Sequence, residues 1–224
     1  MKIFIGYDAV ESVAYHVLVQ SIINNSSIPV EIIPLKQTML PIYRRERDPK
    51  QSNEFSFTRF LVPYLCNYEG FALFMDLDML FRTDPAELWN LRDSTKSVQV
   101  VKHDYTPKTR TKYLGNIQYS YPRKNWSSVM LLNCAKCTTL TPEYVNSAPA
   151  LDLHRFKWTT EIGELAPEWN HLVGEYAPNP DAKIVHFTIG GPWFPEYMNT
   201  EFSEEWFKVY SDMNHVAYNM KATG

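Results

Sequence analysis

Asp76 and Asp78 stand two residues apart at the end of a strongly apolar run, Phe71-Ala72-Leu73-Phe74-Met75. A strand alternates its side chains with period two, so the two carboxylates are expected on one side. Unpaired carboxylates beside a core are costly and need donors or a cation. A divalent metal satisfies both, with diphosphate oxygens and waters filling the remaining positions. The blander reading is that Asp76 caps a turn and Asp78 is solvated. His186 closes a second apolar run, Ile184-Val185-His186-Phe187, where an imidazole can serve as a third metal ligand. Gly190-Gly191 follows, and two glycines allow the backbone to approach a phosphate closely.

These groups need a scaffold. Lys2–Tyr7 reads as a buried strand, Val10–Asn24 as a helix and Val30–Leu35 as a second strand. That order predicts a βαβ unit and a parallel sheet. Ligands of open α/β sheets bind outside the C-terminal strand ends, where Asp76 and Asp78 fall. Phe55–Leu65 reads as an amphipathic helix, Val98–Val101 and Val129–Leu132 as buried strands, and Ile184–Phe187 as a late strand. Asp84-Pro85 marks the start of a short helix, with Asp84 as its N-cap. Residues 137–170 read as turns and short helices, and Glu204–Met220 as a C-terminal helix. Met39–Asn53 and Lys102–Lys124 are polar loops; loops as long as the second usually carry function.

Composition narrows the classes. The 224 residues carry 22 Lys+Arg against 25 Asp+Glu, without the basic excess that broad nucleic-acid binding requires. Apolar residues make up 45%, which excludes intrinsic disorder. No apolar run approaches the length of a membrane span. Asp8 comes too early for a signal-peptide core, so the expectation is a cytoplasmic protein. Three cysteines make a disulfide framework improbable, and the Cys134-x-x-Cys137 pair reads as packing. No Gly-rich dinucleotide or P-loop spacing occurs. One α/β domain over residues 1–224 is the expected organisation.

Six segments together resemble the GT-A glycosyltransferases, with the greatest similarity to family 8, the retaining group of glycogenin and the lipooligosaccharide galactosyltransferases. They are Ile3–Asp8, Phe57-Thr58-Arg59-Phe60, Asp76-Leu77-Asp78, Val129–Asn133, Trp169-Asn170 and His186-Phe187 with Gly191-Pro192-Trp193. The resemblance implies a Rossmann-like nucleotide-diphospho-sugar transferase fold, with a central, mostly parallel sheet flanked by helices. It implies that Gly6, Tyr7 and Asp8 hold the nucleoside, and that Arg59 meets donor phosphate or sugar. Asp76, Asp78 and His186 would hold Mn²⁺ or Mg²⁺, with Leu77, Gly190, Gly191 and Trp193 also on the donor side. Glu161 would stand beside the donor sugar, with Asp104 and Asp152 as the next candidates.

Two departures matter. The family's His-Phe-x-Gly-x-x-Lys-Pro-Trp is here His186–Trp193, one residue shorter and without its lysine. Leaving-group stabilisation then falls to Arg59, the metal or the backbone. Trp126-Ser127-Ser128 replaces the usual Asn-Ala-Gly before the buried strand. The expected activity is metal-dependent transfer of a sugar, with retention, from a nucleotide sugar (a UDP-sugar) to a glycan, lipid-linked or protein acceptor. The rival readings are a nucleotidyltransferase, whose Gly-rich loop is missing after Tyr7, and a non-catalytic sugar- or nucleotide-binding module.

Overall fold

The computed structural model describes residues 1–48 and 51–214. Its strands are β1 (Lys2–Gly6), β2 (Glu31–Leu35), β3 (Phe71–Met75), β4 (Met79–Phe81), β5 (Val98–Val101), β6 (Val129–Asn133), β7 (Ile162–Leu165), β8 (His171–Leu172) and β9 (Ile184–His186). Its α-helices are α1 (Ser12–Asn25), α2 (Val62–Leu65), α3 (Pro85–Trp89), α4 (Pro142–Ser147), α5 (Ala150–His154) and α6 (Ser203–Met213).

Six strands form the central sheet in the order β2-β1-β3-β6-β5-β7, with β6 alone running against the others. The expected β1-α1-β2 unit is there, with β1 and β2 parallel. The C-terminal ends of β1, β3, β5 and β7 therefore share one edge with the start of β6. A smaller sheet, β4-β9-β8, lies beside the first. Helix α1 belongs to both cores: Ala14, Leu18 and Ile22 pack under the large sheet, and Val17 joins Leu80, Val185, Phe187 and Trp206 under the small one.

Local chemistry explains the elements. The buried residues of β1, β3 and β6 are almost all large and apolar, as strands covered on both faces require. Asp84 accepts a hydrogen bond from the Ala86 amide at 2.9 Å, and Pro85 opens α3 as expected. Phe55–Leu65 is not one helix but a 3₁₀ turn, Thr58–Leu61, followed by the single turn α2. Pro63 has no N–H for the Arg59 carbonyl, so an α-helical ladder cannot run through it. Three short strands were not expected: β7 lies in the stretch read as turns and short helices, and β4 and β8 lie in stretches that the sequence reading left unassigned. The C-terminal helix ends at Met213 with Asn214 as its C-cap, and positions 215–220 of its expected span lie outside the described residues.

The three cysteines are free and buried, consistent with packing. Among the described residues no helix is long and apolar enough to cross a membrane.

Candidate active site

The Asp76-Leu77-Asp78 segment is the link between two sheets: β3 ends at Met75 and β4 begins at Met79. Leu77 is buried in the core and anchors the link. The flanking carboxylates reach the other way, toward the sheet edge. The Asp76 amide bonds the Ser128 carbonyl at 2.9 Å, and the Phe187 amide bonds the Asp78 carbonyl at 2.9 Å. His186 faces Met79 across the β4–β9 ladder. Main-chain pairing thus brings all three expected metal-binding residues to one spot, and one ligand atom from each lies within 4.8 Å of the others.

Asn170, fully buried, sets the imidazole. Its Nδ2 donates to the Ser128 hydroxyl at 2.8 Å, so its Oδ1, 3.0 Å from His186 Nδ1, accepts a proton from the ring. Nε2 then turns a lone pair toward Asp78 Oδ1, 3.4 Å away. Two facing lone pairs are satisfied by a cation, either a shared proton or a metal ion. Asp76 Oδ1 and Asp78 Oδ1 are both buried without a hydrogen-bond donor. The donor set, two carboxylate oxygens and one imidazole nitrogen, is one that suits Mn²⁺ or Mg²⁺.

The two carboxylates titrate apart. Burial pushes Asp76 up to about 6, with the Asp78 charge adding and Arg59 opposing. For Asp78, burial acts in the same direction, but the adjoining His186 outweighs it and holds the carboxyl below its ordinary range.

A cavity of about 550 Å³ opens over this cluster. Its wall includes Arg59, Asp76, Asp78 and His186 of the expected site. Arg59 is buried, with Nη1 2.8 Å from Asp76 Oδ1 and donating to the Ser127 carbonyl at 2.8 Å. The contact with Asp76 is Coulombic rather than an aligned hydrogen bond, which is why that oxygen keeps no donor. The Phe55 and Phe74 rings flank the guanidinium at 5.3 and 4.9 Å. Arg59 therefore holds Asp76 from within the cavity wall.

Other expected residues lie outside the cavity wall. Asp8 Oδ1 accepts from the Val10 amide and Oδ2 from the Glu54 amide, each at 3.0 Å, so it ties the start of the first helical turn to the 51–57 loop. Tyr7 packs edge-on against Tyr15. Leu77 is core. A Cβ on Gly6 would lie 2.2 Å from the Phe55 ring, so that glycine makes room for an aromatic of the chain itself. The same holds at Gly190, roofed by Tyr197, and at Gly191, roofed by Trp193. Trp193, half-buried, packs against the second core, edge-on to Phe187 and tilted against Trp206.

Glu161 is not brought to the site. It precedes β7 and so sits at the opposite sheet edge, where its carboxylate meets Lys136 Nζ at 2.8 Å and the Ser97 hydroxyl at 3.0 Å. Of the two reserves, Asp152 pairs with Lys157 at 2.8 Å, and neither it nor Asp104 lines the cavity.

The wall also holds residues that the sequence reading passed over: Glu11, Lys112, Lys124 and His154. Glu11 is buried, which together with the Asp78 charge pushes its carboxyl up to about 8. His154 Nδ1 lies 2.9 Å from the Ser127 hydroxyl, and burial, reinforced by the Arg59 charge, lowers its imidazole to about 3. It faces the cavity as a neutral ring. Asn170 carried a signal in the sequence through its place in the Trp169-Asn170 pair, and the two lysines only through the long polar segment 102–124.

No family model matches the chain. It is 46% identical over 225 residues to Protein CDI of Arabidopsis thaliana, covering 95% of this chain and 87% of that protein. Among solved structures, the apo form of the bifunctional glycosyltransferase WbbM superposes with a TM-score of 0.67 at 14% identity. That match covers 95% of this chain and 50% of WbbM, so the chain spans half that enzyme's length. The galactosyltransferase LgtC, in complex with donor and acceptor sugar analogues, gives 0.62 at 10% identity over 97% of this chain and 98% of LgtC. The glycosyltransferase GlyE of Streptococcus pneumoniae TIGR4 gives 0.62 at 13% identity, over 95% of this chain and 62% of GlyE. The architecture is the GT-A fold.

Proposed function

The chain belongs to the family of Protein CDI of Arabidopsis thaliana, and from its GT-A architecture and the geometry of its cavity we propose that it is a metal-dependent glycosyltransferase. Its donor is a nucleotide sugar, with a UDP-sugar as the first choice, and its acceptor is a hydroxyl of a glycan, lipid-linked or protein substrate. The observation that carries this reading is the Asp76, Asp78 and His186 cluster at the C-terminal edge of the sheet, with two orphaned carboxylate oxygens facing one cavity.

Asp76, Asp78 and His186 would hold Mn²⁺ or Mg²⁺. The metal, when bound, neutralises charge on the donor's diphosphate, where negative charge develops as the sugar departs. The chain's own residues do the rest. Asn170 keeps a proton on His186 Nδ1 and aims Nε2 at the metal position. Arg59 holds Asp76 in place against the cost of its burial. Leu77, locked in the core, fixes the spacing of the two carboxylates. Retention of configuration is proposed from the resemblance to family 8.

The test is a panel of nucleotide sugars incubated with the protein, with and without Mn²⁺. Metal-dependent release of the nucleoside diphosphate, by transfer or slow hydrolysis, supports the reading. Pyrophosphate release would identify a nucleotidyltransferase, and binding without turnover a non-catalytic module. The anomeric configuration of the product, read by NMR, tests retention.

A further inference from the structure

The lysine missing from the His186–Trp193 segment leaves a chemical question: which cation meets the departing diphosphate. Arg59 is committed, since its charge balances Asp76 in a buried pair. The faces of Gly190 and Gly191 that a side chain would occupy are covered by the Tyr197 and Trp193 rings.

Two other cations stand in the cavity wall, Lys112 and Lys124, both from the polar segment 102–124. That segment is strapped down. Thr111 and Ile117 form a bridge, the Lys112 amide bonds the Asn116 carbonyl at 2.9 Å, and buried Gln118 donates to Glu175 at 2.9 Å. The residue after Lys112, Tyr113, donates its amide to the Ile189 carbonyl at 2.8 Å and stacks on Phe194 with centroids 4.8 Å apart. The strap is therefore fastened onto the same stretch of chain that lacks the lysine.

Lys112 lies close enough to Glu11, Asp76 and Asp78 for its charge to favour the ionised form of all three. Lys124 is its neighbour; burial, and then repulsion from Lys112, lowers the Lys124 ammonium to about 8. Among the described residues neither ammonium has a carboxylate within ion-pair distance. Two half-buried cations held near one another in one cavity wall favour an anion between them.

We infer that Lys112, with Lys124 beside it, binds the diphosphate of the nucleotide donor and stabilises it as the leaving group, in place of the absent lysine. This inference rests on the nucleotide-sugar reading above. In the step served, the bond from the anomeric carbon to the diphosphate oxygen breaks and its electron pair stays on that oxygen. The acceptor hydroxyl oxygen bonds to the anomeric carbon, and its proton passes to the departing diphosphate. Lysine ammonium groups lower the energy of that departing anion by charge-assisted hydrogen bonds.

Calorimetric titration of the full chain with UDP and with UMP, both in Mn²⁺, tests the assignment. Lys112→Met keeps most of the unbranched side chain and removes its charge. It should weaken UDP binding about ten-fold or more, the effect of losing one charge-assisted hydrogen bond, while UMP binding stays near that of the wild type. Lys112→Arg should restore UDP binding. Lys124→Met should shift UDP binding in the same sense. Melting curves of each variant show that the fold is kept. If Lys112→Met does not fold, Lys124→Met and the steeper salt dependence of UDP over UMP binding in the wild type decide the matter. UDP affinity unchanged in the lysine variants, or UMP affinity falling as far as UDP affinity, overturns the inference. A wild-type protein that binds no nucleoside diphosphate overturns the nucleotide-sugar reading instead, and this inference with it.

Discussion

The cavity has two walls of different build. The floor, Asp76, Asp78 and His186, hangs from the ends of buried strands and is fixed by ladders and by Asn170. The strap, 102–124, is held by turns and side-chain ties, exposes Leu114, Ile117 and Tyr119, and places Leu114 and Arg123 at positive φ. Two carboxylates and an imidazole that converge on one point tolerate little change in spacing, so they are anchored where backbone displacement is costliest. The strap carries cations on long stems that adapt to a ligand. In the proposed reaction, rigid anionic floor and compliant cationic strap would divide the work of holding one diphosphate.

The largest effect should come from the floor. Asp78→Asn should lower turnover by more than ~10²-fold, because a carboxylate ligand that supplies several kcal/mol of charge stabilisation is lost. Rate measurement on a variant whose melting curve matches the wild type checks this, and near-normal turnover would remove the metal from the mechanism. Asn170→Ala leaves every metal ligand in place but frees the His186 ring. Mn²⁺ affinity should drop about 10–100-fold, read by titration of the metal alone; an unchanged affinity would mean that the β9 ladder orients the ring by itself.

Acid should act on the floor next. Asp76, raised to about 6, must lose its proton to accept a cation, so Mn²⁺ affinity should fall as pH drops below that value. Flat affinity from pH 7 to about 5 would show that Asp76 is not a ligand.

Glu11 offers a pH test of the wall in chelated protein. Its carboxyl titrates at 4.5 in the unfolded chain and about 8 in the folded one. The stability it contributes is present in full below 4.5 and is lost as pH rises through about 8. Glu11→Gln should therefore flatten the fall in Tm across that window.

The smallest effect belongs to the far edge of the sheet. Glu161→Gln should leave kcat and donor affinity unaltered, and a clear loss of kcat would require the chain to bring that edge into the reaction.

The floor was legible in the sequence because apolar runs announce buried strands and a strand end fixes where the next side chains emerge. Phe71–Met75 and Ile184–His186 both showed this, and the Asp-Leu-Asp link followed from the first. Arg59 was legible as a residue but not as a contact, since only folding brings Asp76 within reach. Glu161 was misplaced because β7, Ile-Gly-Glu-Leu, has neither a β-branched run nor a strict alternation, so its strand went unread and its sheet edge with it. The glycines signalled close approach, but not that the approaching groups were Phe55, Tyr197 and Trp193. Lys112 and Lys124 lie in a polar stretch with no period, and only the tie to Ile189 reveals what they face.

The link between β3 and β4 has a kinetic consequence. Met79 finds His186 only after the chain has closed a very long loop, so the cluster of Asp76, Asp78 and His186 depends on a contact of high sequence separation. Local units such as β1-α1-β2 can form without it. A cation that recognises the finished cluster then finds little to bind before the late stage of folding. It acts on the escape rate from the native state more than on the approach to it, and serves as a latch on a seam rather than a nucleus for either sheet.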